Sequence, residues 1–185
     1  MISHIIQGRR SVFPAQYNDQ TISKEEIVTI LEAANWAPTH KRTEPWRFKV
    51  LQGESQGRLA DFLAETYKEK GNNFSEFKYN KYKANPRKAA CVIAICMQRD
   101  PLEAIPEWEE IAATAMAVQN MWLQAHEMKI GAYWGSPGIC KYMDGFFELE
   151  KGERCLGFFY MGKYDGVLDQ GIRKSAIQEK TVWIK

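Results

Sequence analysis

The chain has 185 residues, 45% of them hydrophobic, and a formal net charge of +2. This size and composition predict one domain, residues 1–185, with a packed apolar core. The near-neutral charge argues against a nucleic-acid partner or a membrane surface, and no run of 18 apolar residues could span a bilayer. The N-terminus lacks the apolar segment of a secretory signal, so the sequence predicts a cytoplasmic location.

The first third of the chain predicts two helices. "ISHIIQG" is typical of a short helix ended by Gly8. Ser23 and Glu26 form a capping-box pattern in front of apolar residues at helical spacing. That second helix is expected to stop near Ala37, because Pro38 cannot continue it.

Alternating apolar residues then predict a strand from Trp46 to about Leu51. "SQGRLADFLAETYKEKG" predicts an amphipathic helix closed by Gly71. "FSEFKYNKYKAN" carries aromatic side chains three to five positions apart, which predicts a further helix ended by Pro86.

The second half of the chain predicts a strand, a long helix and two further strands. "KAACVIAICM" is typical of a strand buried on both faces. A helix from about 107 to 128 follows, then strands in "GAYWGSPG" and "ERCLGFFYMGKY", with a short helix in "CKYMDGFFEL" between them. The polar tail has no clear period. Strands that alternate with helices indicate an α+β or α/β protein.

The four cysteines, at 91, 96, 140 and 155, have no disulfide or zinc-binding spacing. Cys91 and Cys96 are five positions apart in a strand and therefore lie on opposite faces. We interpret the cysteines as small buried side chains in a reducing compartment, and we predict no metal site.

Two polar segments are candidates for a binding site. "GRRSVF", at residues 8 to 13, places two arginines and a serine together, and such groups bind phosphate oxygens well. On its own this segment is more simply explained as a solvated helix end. "WAPTHKRTEPW" places a histidine, a lysine and an arginine between two prolines, and each of these features alone is also common in structural loops.

The order of these features along the chain is more specific. Arg-Arg-Ser is followed by a capped helix, by Ala-Pro and Pro-Trp before a strand, by a long Ala-rich helix, by a strand ending in Gly-Ser, and by "LGFFYMGKYDG" before an Arg-Lys pair. This series resembles the nitroreductase family of FMN-dependent oxidoreductases over roughly residues 5 to 183. The resemblance implies an α+β fold with a central, mainly antiparallel sheet surrounded by helices, in an intertwined homodimer.

The resemblance also implies which residues bind the flavin. The phosphate and ribityl chain are expected to contact the N-terminal cluster and the late basic pair, which are Arg9, Arg10, Ser11, Arg173 and Lys174. The ring is expected to lie against the turn formed by Trp134, Gly135 and Ser136, with the glycine amide near N5. The partner subunit is expected to approach the flavin with Pro38, Thr39, His40 and Arg42.

The sequence departs from the family pattern at two places. Phe13 stands where the family often has an arginine after Arg-Arg-Ser. Arg42 and Glu44 lie where many members have Asn and Gln, so hydrogen bonds to the flavin from this segment do not carry over directly.

The long helix is consistent with the implied dimer. Ala113, Ala117, Met121 and Trp122 give it more apolar surface than one layer is expected to cover, and small residues let helices approach across a two-fold axis. A helix fully buried within a monomer is the alternative.

The function implied is transfer of a hydride from NADH or NADPH, through bound FMN, to a small electrophile such as a nitroaromatic or a quinone, with ping-pong kinetics. The flavin carries this chemistry, and His40 is a possible proton donor. No GxGxxG motif follows a strand, in agreement with a nicotinamide that visits a shared pocket. Acceptor choice is expected to depend on region 60 to 85 and on Trp134. The alternatives are a flavin-handling or dehalogenating relative and a non-catalytic flavin-binding module.

Overall fold

The computed structural model describes residues 2–184, which form one antiparallel sheet with helices on both faces. The strands are β1 (Trp46–Leu51), β2 (Cys91–Gln98), β3 (Ile130–Gly135) and β4 (Glu153–Lys163), in the order β1-β2-β4-β3. The helices are α1 (Ile2–Gly8), α2 (Lys24–Asn35), α3 (Glu54–Lys70), α4 (Glu76–Lys88) and α5 (Glu107–Glu127). The expected antiparallel sheet surrounded by helices is confirmed.

The central strand β2 separates two apolar layers. Its alternate side chains point to opposite faces, so Cys91 packs with α2 and α5 while Cys96 packs with α3. All four cysteines are buried and free, as the sequence predicted. In the layer against α3, Leu59 and Leu63 pack below β4. The sheet is therefore covered on both sides, and its outer edge at β3 is where the N-terminal segment attaches.

Most predicted boundaries agree with the structure. The hydroxyl of Ser23 accepts a hydrogen bond from the Glu26 amide, while the Glu26 carboxylate accepts one from the Ser23 amide, which completes the capping box. The prediction that Pro86 ends its helix is wrong, because α4 continues to Lys88. Proline removes one donor from the last turn, but the Ala89 amide still donates to the Asn85 carbonyl and closes that turn.

The long helix α5 is covered more completely by its own chain than the sequence suggested. Ala113, Ala117 and Met121 are buried against α2 and the sheet. The apolar side chains that α5 leaves exposed are Trp108, at 67%, and Met116, at 41%. The expected contact with a second copy would therefore involve the side of α5 that carries these two exposed residues.

The C-terminal tail, residues 165–184, is irregular apart from a short 3-10 turn at Ile177–Lys180. It carries apolar side chains that are 86% or more exposed, namely Val167, Ile172, Val182, Trp183 and Ile184. Within residues 2–184, no helix is long and apolar enough to cross a membrane.

Candidate functional site

The N-terminal arginine cluster opens onto a cavity of about 440 Å³ between the end of α1 and the C-terminal tail. We call it the arginine cavity. Its polar lining is Arg9, Arg10, Ser11, Gln16, Asp169, Gln170 and Arg173. Three arginines and a single acidic residue thus line this space. Such a surface suits a multiply charged anion.

Arg9 is the most constrained of these cations. Its Cζ lies 4.5 Å from the centroid of the Trp122 ring, a cation–π contact with α5. Its Nη1 is buried and has no hydrogen-bond partner within residues 2–184. Burial lowers the pKa of Arg9, and the charges of Arg173 and Arg10 lower it further. A buried donor surrounded by like charges indicates a place for an anionic acceptor.

Arg10 holds the cavity together. Its Nε donates to the carbonyl of Asp169 at 2.9 Å, and its Nη1 donates to the carbonyl of Gln7 at 2.6 Å. The tail backbone lies so close that a Cβ added to Gly171 would be 2.6 Å from the Arg10 Cζ. Arg10 therefore joins the tail to the end of α1, and Arg9 and Arg173 have more of their donors free for a ligand.

The arginine cavity is attached to the outer edge of β3. Ser11 pairs with Ala132 in a parallel bridge, and the Val12 amide donates to the Ala132 carbonyl at 3.0 Å. Three residues along the same strand lies Gly135, about 10 Å away at the usual rise of a strand. The predicted phosphate-binding cluster and the predicted ring-binding turn are thus brought to one edge of the sheet.

Phe13 contributes to the same edge. Its ring packs on that of Tyr133 with centroids 4.6 Å apart, and the side chain is 43% exposed. Where the family often has a cation, this chain therefore has an aromatic surface beside β3.

A second cavity of about 370 Å³, the α4 pocket, lies at the end of β3. The turn residues Trp134, Gly135 and Ser136, which the resemblance assigns to the flavin ring, form one side. The opposite side is a face of α4 at the end of region 60 to 85, where the sequence analysis named no individual residue; it consists of Lys78, Lys81, Tyr82 and Asn85. Their spacing of three, four and seven positions marks one helical face and was a signal for this wall.

Gly135 is closely packed from behind. An added Cβ would lie 3.2 Å from Cε1 of Tyr133 and 3.3 Å from Cε2 of Tyr160. The indole Nε1 of Trp134 is buried without a hydrogen-bond partner within residues 2–184. The end of β3 is therefore closely packed, and it lines the α4 pocket at a residue without a side chain.

The segment from Pro38 to Pro45 has a strained backbone. Lys41, Arg42 and Glu44 have φ angles of 51°, 55° and 42°, in the left-handed region that non-glycine residues seldom occupy. The conformation is held where the amide of Glu44 donates to the Thr39 hydroxyl at 3.2 Å and where Lys41 Nζ donates to the Ala104 carbonyl at 2.9 Å. Strain that a structure maintains in this way is often found at ligand-binding segments.

This strained segment lies far from the arginine cavity of the same chain. His40 Nδ1 is 2.5 Å from the Glu109 carboxylate at the start of α5, whereas Arg9 contacts Trp122. Glu109 and Trp122 are 13 positions apart in α5, which is about 20 Å along the helix. Within one chain, Pro38, Thr39, His40 and Arg42 do not join the other predicted site residues. Lys174 is exposed and lines neither cavity.

Two further neighbours of Arg9 were not assigned from the sequence. Trp122 and His126 are one turn apart on α5, which places them on one face of the helix. Burial lowers the pKa of His126, and the charges of Arg9 and Arg10 lower it further. Within residues 2–184, no group of His, Cys, Asp and Glu side chains could hold a metal ion.

Comparison with known proteins assigns the family. The model of the nitroreductase family matches residues 6–163, which is most of the chain. The chain belongs to the nitroreductase family. The resemblance seen in the sequence is thereby confirmed.

Individual nitroreductases agree with this assignment. One relative is YfhC of Bacillus subtilis, which is named as an NAD(P)H nitroreductase by inference. It is 29% identical to this chain over 89% of this chain and 85% of the YfhC chain. The solved structure of a nitroreductase-like protein from Bacillus cereus has a TM-score of 0.83 and 28% identity, over 100% of this chain and 96% of that one. A provisional nitroreductase of Desulfovibrio desulfuricans, crystallised with FMN, has the same fold with a TM-score of 0.75 and 23% identity, over 100% and 96% of the two chains.

Proposed function

We propose that the chain is an FMN-dependent oxidoreductase that uses NADH or NADPH to reduce a small electrophile such as a nitroaromatic or a quinone. The observation that carries this proposal is a cavity lined by three arginines, one of which, Arg9, has a buried Nη1 without a hydrogen-bond partner within residues 2–184. A phosphate monoester supplies the anionic oxygens that this arrangement lacks. The name of YfhC and the FMN complex of the Desulfovibrio protein support the same choice of cofactor and donor.

Each part of the edge of β3 has a role in this proposal. Arg9, Ser11 and Arg173 bind the phosphate, while Arg10 fixes the tail around it. The end of β3 supports the flavin ring, and Gly135 leaves the ring accessible because it has no side chain. Lys174, which lines neither cavity, would have to reach the phosphate by a change in the tail.

FMN, when bound, supplies the redox chemistry by taking a hydride from NAD(P)H and giving two electrons to the acceptor. For a nitro acceptor, one cycle converts the nitro group, NAD(P)H and one proton into a nitroso group, NAD(P)+ and water. The donor and the acceptor use one open pocket in turn, which gives ping-pong kinetics. The chain's own contribution is to bind the flavin, to orient the donor and the acceptor beside it, and to exclude water from the reacting atoms. His40 or solvent supplies the proton.

We also propose that two copies of the chain complete each site. In one chain, His40 and Arg9 contact α5 at points about 20 Å apart, so they reach one small ligand only if another copy provides one of them. Antiparallel packing of two α5 helices about a two-fold axis places the start of one helix beside the end of the other. The exposed Trp108 of α5 and the apolar side chains of the C-terminal tail offer surface for such an interface.

The cofactor is tested by the absorption spectrum of the purified protein after addition and removal of excess FMN. We expect a bound flavin band that is bleached by NADH or NADPH in the absence of oxygen and that returns when a nitroaromatic or a quinone is added. Protein that does not retain FMN would contradict the proposal. Retained FMN that neither nucleotide bleaches would favour a non-catalytic flavin-binding module.

A further inference from the structure

The α4 pocket has a composition that selects one kind of acceptor. We propose that its acceptor is an aromatic molecule carrying an anionic substituent, such as a carboxylate, and that Lys78 and Lys81 recognise the anion. This inference rests on the proposed function, because it names the substrate class of that reaction.

The aromatic part follows from the apolar walls. Tyr82 lines the pocket from α4, while Tyr133 and Tyr160 line it from the sheet. The rings of Tyr133 and Tyr160 are stacked with centroids 6.0 Å apart and an interplanar angle of 20°. Fixed aromatic side chains beside the end of β3 favour a flat ring as the guest.

The anionic part follows from uncompensated charge. Lys78 and Lys81 line the pocket from successive turns of α4, and no Asp or Glu is among the lining residues. Neither lysine forms an ion pair within residues 2–184. Elsewhere on α4, Arg87 is paired with Asp61 at 2.7 Å. The two lysines are therefore free to pair with a ligand.

The geometry of α4 separates these lysines from their neighbour Lys83. Positions 78, 81, 82 and 85 share one helical face, whereas Lys83 has its Nζ 5.9 Å from the centroid of the Tyr79 ring and does not line the pocket. Lys83 is thus a matched control of the same charge on the same helix.

The test compares 4-nitrobenzoate with 4-nitrobenzamide, which has nearly the same shape but no charge. The ratio of their kcat/KM values is measured for the wild type, for the double variant Lys78→Gln/Lys81→Gln, and for Lys83→Gln. We expect the wild type to favour 4-nitrobenzoate. Loss of two exposed charges is expected to lower the ratio about tenfold, and Lys83→Gln is expected to leave it unchanged.

The ratio distinguishes acceptor recognition from other roles of the lysines. If they served only the flavin or the fold, both acceptors would be affected equally and the ratio would stay the same, which would overturn the inference. A wild type that reduces both acceptors equally well would also overturn it, while leaving the proposed function intact. Absence of bound flavin, or of any NAD(P)H-dependent reduction of 4-nitrobenzamide, would instead overturn the proposed function, and the inference with it.

Discussion

The arginine cavity and the α4 pocket are both cationic, but they are built differently. In the arginine cavity, Arg9 is held over Trp122 and Arg10 is fixed by backbone carbonyls. In the α4 pocket, Lys78 and Lys81 are exposed and lie on one helical face. A guanidinium group has a fixed planar set of donors, whereas lysine is a flexible point charge.

The difference indicates two kinds of guest. A rigid, partly buried donor set is suited to one ligand that stays bound, since its geometry is prepared before binding. Exposed, mobile charges above an aromatic wall are suited to ligands that enter and leave. On the proposed function, the FMN phosphate therefore belongs in the arginine cavity and the flavin ring at the end of β3, while the changing substrates use the α4 pocket above that ring.

The sharpest way to break this comparison is the substitution Arg9→Ala. Because Arg9 offers charged hydrogen bonds from a partly buried position, its loss is expected to raise the Kd for FMN by about 10- to 100-fold. The free energy of unfolding of the FMN-free protein is expected to change by less than the free energy of FMN binding changes. Fluorescence titration with FMN and urea denaturation measure the two quantities.

Arg154→Ala is the control for that experiment. Arg154 is an exposed arginine that pairs with Glu107 at 3.1 Å, and it lines neither the arginine cavity nor the α4 pocket. We expect this variant to bind FMN as the wild type does. If Arg9→Ala lowers stability as much as it lowers FMN binding, Arg9 is structural and the assignment of the cavity is wrong.

A smaller effect is expected from Tyr17→Phe, which tests the hydrogen bonds that hold the N-terminal segment of the arginine cavity against the sheet. The Tyr17 hydroxyl contacts the carbonyl oxygens of Val12 and Tyr160 at 2.8 and 2.9 Å. Burial raises the pKa of Tyr17, so the hydroxyl stays protonated and able to donate. We expect the free energy of unfolding to fall by about 1–2 kcal/mol, with weaker FMN binding as a consequence. Unchanged stability in urea denaturation would show that these contacts do not hold the segment.

The smallest effect concerns pH. Burial and the charges of Arg9 and Arg10 lower the pKa of His126 below its usual 6.5, so the unfolded chain takes up this proton first as the pH falls. The contribution of His126 to the free energy of unfolding of the FMN-free protein is therefore fully present above pH 6.5. It is lost as the pH falls below that value. We expect His126→Gln to show a shallower fall in the free energy of unfolding between pH 7 and pH 5 than the wild type. If the free energy of unfolding falls equally steeply with pH in the two proteins, His126 does not interact electrostatically with Arg9 and Arg10.

Local features of the fold were predictable because neighbours in sequence determine them. The capping box at Ser23 and the strand Trp46–Leu51 follow from spacing and alternation. The continuation of α4 beyond Pro86 was not predicted. Proline lacks a backbone amide, and whether the last turn tolerates the loss of that hydrogen bond depends on packing by the rest of the protein.

The candidate site was predictable only in part. The family resemblance named Arg9 and Gly135, but the bond from Arg10 to the Asp169 carbonyl joins positions 159 residues apart and has no local signal. The wall of α4 was readable from its spacing, yet only the fold places it opposite β3. Whether a site combines two copies is a property of the assembly, which no pattern within one chain specifies.

The central claim, a flavin site shared between two copies, is tested most directly by mixing two damaged chains. One chain carries Arg9→Ala and the other carries His40→Ala/Arg42→Ala, and tagged heterodimers are purified after both homodimers are shown to bind FMN weakly. If the two groups come from different copies, each heterodimer contains one site with both defects and one intact site. We predict one tightly bound FMN per heterodimer. Heterodimers without a tight site would show that each chain builds its site alone, in contradiction to the account.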